Sequence, residues 1–145
     1  MKKQFTSAFS LIELTVTIGI AAFCLIAVLG LMPVGMRTNR NATSQTAATN
    51  IMAAVISDLR ATPKANNTSS QFAITFGTPT PATLYFDGSG QFTTTPGANS
   101  RYQLNVTWYG TTGLRYADLK VTWPAAATTA NASGSTEMFI AFDRN

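Results

Sequence analysis

Residues 8–33 read AFSLIELTVTIGIAAFCLIAVLGLMP, and no residue from Leu14 through Met36 carries a charge. A helix needs about 20 consecutive apolar residues to cross a bilayer, so this run is long enough to span one. Glu13 stands at the start of the run, where a carboxylate is costly unless it has a partner or reaches water. The stretch predicts a membrane-spanning helix with a carboxylate near its first turn.

A secretory signal and a lipoprotein signal fit this run less well than a membrane span. A cleaved secretory signal has an apolar core of only about 7–15 residues, followed by a small-x-small site, and no such site follows here. A lipoprotein signal needs a small residue before its cysteine, whereas Phe23 precedes Cys24. Cys24 is therefore interpreted as a small residue facing lipid or another helix. Because it is the only cysteine in the sequence, no intrachain disulfide can form.

Glu13, taken alone, has two interpretations. It could be a snorkelling side chain near the end of a membrane helix, with its carboxylate at the interface. Alternatively it has a partner, since an unpaired charge costs about 2.5–3.5 kcal/mol at the helix centre and less towards the end.

The residues before the run favour a partner for Glu13. A short polar and basic leader, KKQFTSA, ends at Ala8 and is followed by FSLIEL. This order resembles the class III leader of type IV pilins and of type II secretion pseudopilins. In that family a small residue, usually Gly, precedes a Phe, and a Glu stands five residues into the mature chain. Ala8, Phe9 and Glu13 match the pattern position by position, with Ala8 replacing the usual Gly. The whole chain is also similar to the pilin-like Verru_Chthon cassette protein B family.

The resemblance implies a processing and assembly route. A prepilin peptidase would cleave between Ala8 and Phe9 on the cytoplasmic side and methylate the new Phe9 amine. Glu13 would pair with the Phe9 amine of a neighbouring subunit, because opposite charges satisfy each other in a low dielectric. The implied partners are the peptidase, other pilin or pseudopilin subunits and an inner-membrane assembly platform. The implied location is the bacterial inner membrane, as a single-pass protein with a cytoplasmic leader and a periplasmic or extracellular C-terminal domain.

The remainder of the run is suited to packing against similar helices. Small residues allow two membrane helices to approach closely. They are Gly19, Ala21, Ala22, Ala27 and Gly30. Pro33 predicts a kink or an interruption where the helix leaves the bilayer.

Beyond the run, the stretch NATSQTAATNIMAAVISDLRATP (41–63) predicts an amphipathic helix. Its apolar residues Ala48, Ile51, Val55 and Leu59 share one helical face, and Pro63 marks the stop. The pattern then changes to a period of two. QFAITF (71–76) puts Phe72, Ile74 and Phe76 on one face, and later stretches alternate in the same way. These stretches are TLYF, QFT, the residues from Tyr102 to Trp108, those from Tyr116 to Trp123, and EMFIAF.

Four or five short strands in series, without helices between them, predict an antiparallel sheet. The expected fold class is α+β and pilin-like, with a long N-terminal helix packed on a small antiparallel sheet. The expected segments are a leader (1–8), the transmembrane and assembly half of the stem helix (9–33), its amphipathic half (34–62) and the sheet domain (63–145).

Catalytic chemistry is not indicated. The sequence has no histidine, which excludes Ser-His-Asp and Cys-His arrangements and histidine metal sites. The Asp87–Gly90 segment, DGSG, reads as a tight hairpin turn, with a calcium site as the weaker alternative. The aromatic residues Tyr102, Trp108, Tyr116 and Trp123 read as core and cross-strand pairs rather than a ligand platform. No enzyme activity, metal or cofactor is predicted.

The formal charge of +4 comes from scattered residues with no basic run, so nucleic acid is not an expected partner. The leading interpretation is a structural, minor pilin or pseudopilin subunit of an envelope filament or secretion pseudopilus. The alternative is a membrane-anchored, adhesin-type tip module that binds a secreted substrate, DNA or a surface. A third is a plain single-pass membrane protein whose match to the leader pattern is accidental.

Overall fold

The computed structural model describes residues 10–110, 114–128 and 130–143. One long helix, α1 (Leu11–Ala61), is followed by five strands. The strands are β1 (Ala82–Phe86), β2 (Phe92–Thr93), β3 (Tyr102–Tyr109), β4 (Leu114–Trp123) and β5 (Gly134–Asp143). The chain divides into two compact units between Arg40 and Asn41.

In the first unit, α1 continues through Pro33 without an interruption. Proline has no N–H to donate to the carbonyl of Leu29, so one hydrogen bond of the helix ladder is missing there. Of the kink or interruption predicted at Pro33, the interruption does not occur, because the helix runs on to Ala61. The Thr38 hydroxyl donates to the Val34 carbonyl at 3.0 Å, which binds the next turn after the proline together.

In the second unit, α1 buries one apolar stripe. Ala48, Met52 and Val55 are fully buried and Leu59 nearly so, at the three- and four-residue spacing of a helical face. The amphipathic pattern of the sequence predicted this stripe, and the helix ends at Ala61, two residues before Pro63. The stripe joins the strand residues in one hydrophobic cluster, so the fold class is α+β with the helix packed on the sheet.

The sheet is antiparallel throughout, in the order β2-β1-β3-β4-β5. Buried residues lie opposite each other at its centre, as Leu104 pairs with Val121 and Val106 with Leu119. All four are fully removed from solvent. Burial of each such side chain contributes about 1.5–3 kcal/mol relative to exposure, so these pairs are the main stabilising contacts of the sheet.

The stretch 71–76 does not form a strand. Phe72, Ile74 and Phe76 are buried as their spacing indicated. However, Ala73 has a φ of 53°, in the left-handed region, and only a single bridge joins Thr68 to Thr75. A strand needs extended dihedrals at every residue, and Ala73 breaks that run. The segment is instead a folded loop whose Phe72 and Phe76 rings pack in the hydrophobic core.

Candidate assembly site

Glu13 lies in the first turn of α1. The Ser10 carbonyl accepts hydrogen bonds from the N–H groups of Glu13 at 3.0 Å and Leu14 at 3.1 Å, which closes that turn. The start of a helix carries partial positive charge from unsatisfied N–H groups, so a carboxylate is favoured at this end. The position therefore stabilises Glu13 electrostatically without requiring a side-chain partner in the same chain.

The two threonine hydroxyls near Glu13 form hydrogen bonds within the helix itself. The Thr15 hydroxyl donates to the Ile12 carbonyl at 2.9 Å, and the Thr17 hydroxyl donates to the Glu13 carbonyl at 2.7 Å. Such bonds let threonines sit in an apolar surrounding at little cost. Within the described part of the chain, no group forms a hydrogen bond or ion pair with the Glu13 carboxylate. The Thr15 and Thr17 hydroxyls are thus occupied within the helix, whereas the Glu13 carboxylate has no partner among the described residues.

The surface of α1 from Leu11 to Met36 is apolar and uncovered. Large side chains such as Leu11, Phe23 and Leu31 are 81%, 74% and 70% exposed. Its most apolar stretch is not buried, and by length and composition this helix is able to cross a membrane.

Three glycines on α1 have free space beside them. A Cβ placed on Gly19, Gly30 or Gly35 would meet nothing within 4 Å. The separation of eleven residues between Gly19 and Gly30 corresponds to about three helical turns, so these two lie on nearly the same face. The packing of this chain does not require glycine at either position.

The two processing residues expected from the sequence, Ala8 and Phe9, lie outside the described residues. The structure therefore places Glu13 of that motif and not its cleavage pair.

Asp87 lies in the second unit and forms a turn, as the sequence predicted. Its Oδ1 accepts hydrogen bonds from the Ser89 N–H at 2.8 Å, the Ser89 hydroxyl at 2.7 Å and the Gln91 N–H at 3.0 Å. The Ser89 and Gln91 bonds hold the pKa of Asp87 below its ordinary value. Among the described residues, no group of three or more His, Cys, Asp or Glu side chains could hold a metal ion. The carboxylate acts here as the organiser of the β1–β2 hairpin.

The four aromatic residues singled out in the sequence lie in the core or in cross-strand pairs, as predicted. Tyr102 and Trp108 are buried, and Trp123 packs on Tyr102 with ring centroids 6.4 Å apart. Trp108 also packs against Phe76 and Phe142, at centroid distances of 5.1 and 5.7 Å. Tyr116 is 46% exposed and pairs across the sheet with Tyr109, on the face that points away from the core.

Sequence reasoning missed two features of the second unit. The first is Asp58, a buried carboxylate of α1 that binds the loop after the helix. The second is the exposure of Met138 and Phe139 on β5, at 40% and 63%. The signal for the second was present in the sequence, because the five residues from Met138 to Phe142 include no polar residue on either face of the strand.

Comparison with known proteins adds no assignment, since no family model, curated protein or solved structure matches this chain.

Proposed function

We propose that this chain is a structural subunit of an envelope filament or secretion pseudopilus, as a minor pilin or pseudopilin. The observation that carries the proposal is Glu13, a carboxylate in the first turn of a helix whose following surface is apolar and uncovered. The basic leader, Ala8 and Phe9 precede it in the order that the pilin leader requires. The α+β architecture of the second unit, with a helix packed on an antiparallel sheet, supports the proposal as well.

The proposed assembly step is the pairing of two charges. After cleavage between Ala8 and Phe9, the Phe9 amine, still cationic when methylated, would approach Glu13 of a neighbouring subunit. Either charge alone costs free energy in an apolar surrounding, whereas in the pair each charge is stabilised by the other. The contact therefore favours one register between neighbouring helices and disfavours shifted ones, in which both charges lack partners.

The apolar surface would complete the contact between subunits. Neighbouring helices of the same kind would cover the exposed side chains of α1, and Gly19 and Gly30 would let two backbones approach. Before assembly, lipid would cover the same surface. The proposed location follows: a single-pass protein of the bacterial inner membrane, with the leader in the cytoplasm and the sheet domain in the periplasm or beyond. The partners are the prepilin peptidase, other subunits and the assembly platform.

The proposal is tested by processing of the full chain. Co-expression with a prepilin peptidase should give a mature protein that begins at methylated Phe9, as measured by intact mass and N-terminal sequencing. The Ala8→Gly variant should be processed at least as well, because Gly is the usual residue before the cut. Phe9→Asp is the matched control and should remain uncleaved. Recovery of only the full-length chain, with a peptidase that cleaves a known prepilin in the same cells, would contradict the proposal.

A further inference from the structure

The two edges of the sheet are protected very differently. At one edge, β2 consists of two residues, Phe92 and Thr93. At the other, β5 extends over ten residues, Gly134–Asp143, and pairs with β4 at every one of them. Within the described part of the chain, no strand pairs with the far side of β5. A long open edge presents unpaired backbone groups and is a template for another strand.

The β5 strand also lacks the features that usually block such pairing. It contains no proline and no lysine, and its unbroken register with β4 leaves no bulge. Its charged residues are Glu137, which forms an ion pair with Lys120 at 3.1 Å, and Asp143 at its end. At the middle of the strand, Met138 and Phe139 are 40% and 63% exposed. The edge is therefore long, regular and apolar at its centre.

An open groove runs beside this edge on the helix side. It has a volume of about 790 Å³ and lies between the second-unit part of α1 and residues 138–141 of β5. Ala53, Ile56, Met138 and Ile140 give it an apolar floor, with Arg60 among its polar lining. Residues that enter this groove from an added strand would thus find apolar contacts as well as backbone hydrogen bonds.

We propose that the β5 edge pairs antiparallel with β5 of a second copy of this chain, around a two-fold axis at Phe139 or Met138. In a two-fold antiparallel pair, one residue lies opposite its own copy, and residues at equal distances on either side of it lie opposite each other. Every such pair shares one face of the sheet. Centring the axis on Phe139 or Met138 gives the longest overlap of two ten-residue strands.

The charges of β5 select these two registers. With the axis at Phe139, Glu137 lies opposite Ala141, and Asp143 lies opposite Ser135. With the axis at Met138, Glu137 lies opposite Phe139. One step further in either direction opposes acid to acid: an axis at Glu137 puts Glu137 opposite itself, and an axis at Ile140 puts Glu137 opposite Asp143. Like charges directly opposite each other destabilise a pair of strands, so slipped registers are disfavoured.

The register centred on Phe139 also brings apolar side chains together at the groove. With the axis at Phe139, Met138 of one copy lies opposite Ile140 of the other, on the face that carries the apolar groove. An open sheet edge, an apolar groove and a charge pattern thus agree on a second copy as the occupant. This pairing involves neither Glu13 nor leader cleavage, so its test is independent of the test of the proposed function.

The test is disulfide formation in the full chain, purified in detergent, with Cys24→Ala to remove the native thiol. Residues opposite each other in an antiparallel pair have Cα atoms about 4.5–5.5 Å apart, within the range of about 4.4–6.8 Å that a disulfide spans. Under mild oxidation, Phe139→Cys or Met138→Cys should give a covalent dimer. Thr94→Cys, an exposed position just beyond β2, is the matched control and should stay monomeric.

A second variant separates pairing from folding. Phe139→Lys places a lysine opposite Asp118 within its own copy, which favours the fold, and opposite another lysine across the Phe139 axis, which opposes pairing. The noncovalent dimer of the full chain is measured by sedimentation in detergent. With the axis at Phe139 it should weaken at least tenfold; with the axis at Met138 the new lysine lies opposite Glu137 of the other copy, and the dimer should become stronger. Thr94→Lys should leave the dimer unchanged. Absence of a covalent dimer with both cysteine variants, or a Phe139→Lys dimer unchanged from that of the original protein, would overturn the proposal.

Discussion

Asp58 and Phe72 tie the end of the helix to the loop that follows it. The Phe72 N–H donates to Asp58 Oδ2 at 3.0 Å, and the neighbouring Gln71 N–H reaches both oxygens of the same carboxylate at 3.1 and 3.2 Å. These bonds hold the loop so that the Phe72 ring packs on Phe92, with centroids 5.0 Å apart. A single buried carboxylate thereby positions a core aromatic residue that belongs to no regular element.

Removing that carboxylate should destabilise the sheet domain. Asp58→Ala leaves the N–H groups of Gln71 and Phe72 without their acceptor, and hydrogen bonds to charged groups are worth about 1.5–3 kcal/mol each. We expect a loss of about 2–4 kcal/mol in the free energy of unfolding, measured by urea titration of the detergent-solubilised chain. Ser57→Ala, at an exposed neighbouring position, should change it by less than about 0.5 kcal/mol. Equal stability of the two variants would contradict the role of Asp58.

The same carboxylate should make stability depend on pH. Burial would raise the pKa of Asp58, but the hydrogen bonds from the 69–72 loop outweigh it and hold the pKa below its ordinary value of 3.8. A group whose pKa is lower in the folded state stabilises the fold fully above its unfolded pKa, and this contribution is lost as the pH falls through the folded value. Asp58→Asn should therefore show less loss of stability between pH 5 and pH 2 than the unchanged protein.

Asp118 should behave in the opposite way. Burial raises its pKa, and the charge of Glu137 adds to that, while Lys120 acts against both. Because the pKa of Asp118 is higher in the folded state than in the unfolded state, the free energy of unfolding falls as the pH rises from the unfolded pKa to the folded pKa. Above the folded pKa the whole destabilisation is present. Among the described residues, Asp118 Oδ1 also has no hydrogen-bond partner although it is buried.

Asp118→Asn should therefore increase stability at pH 7, by a few tenths to about 1 kcal/mol, since it removes a like charge from one face of the sheet. Below the unfolded pKa the carboxylate is protonated in the unchanged protein as well, so the two proteins should converge there. Urea titrations at pH 7 and pH 3 provide the comparison. An asparagine variant that is less stable at pH 7 would show that the negative charge has a stabilising partner instead.

Glu13 should matter for assembly and not for membrane insertion. Glu13→Ala makes the span more apolar, so insertion should be unchanged or improved. Assembly should fall sharply, because the amine of an incoming subunit would be left unpaired at a cost of a few kcal/mol. Glu13→Gln keeps hydrogen bonding without the charge and should be nearly as defective. The measurement is incorporation into filaments, or cross-linking to neighbouring subunits, with membrane levels matched.

A control for Glu13 lies one turn further along the helix. Thr17→Ala removes a hydroxyl that bonds only to the backbone of the same helix, so it should assemble normally. Normal incorporation of both Glu13 variants would return this residue to the simpler interpretation of a snorkelling side chain.

Local patterns in the sequence were sufficient for much of this fold. The uncharged run after Glu13 predicted the apolar helix, because the length of an apolar segment can be counted directly from consecutive residues. The spacing of Ala48, Ile51, Val55 and Leu59 identified the buried face of α1, and the strict alternation from Tyr102 to Trp108 identified β3. In these segments one face is buried and the other is not, so the period of the element appears directly in its residues.

Only the tertiary structure decided the remaining features, because they depend on contacts between distant residues. Phe72, Ile74 and Phe76 are buried without a strand, since Asp58 and the left-handed Ala73 fold that segment into a loop. The order of the strands places β5 at an open edge, which no local pattern specifies. Strand order depends on pairing between strands that are distant in the sequence. The free energy of each pairing depends on the core contacts that form when the whole domain folds.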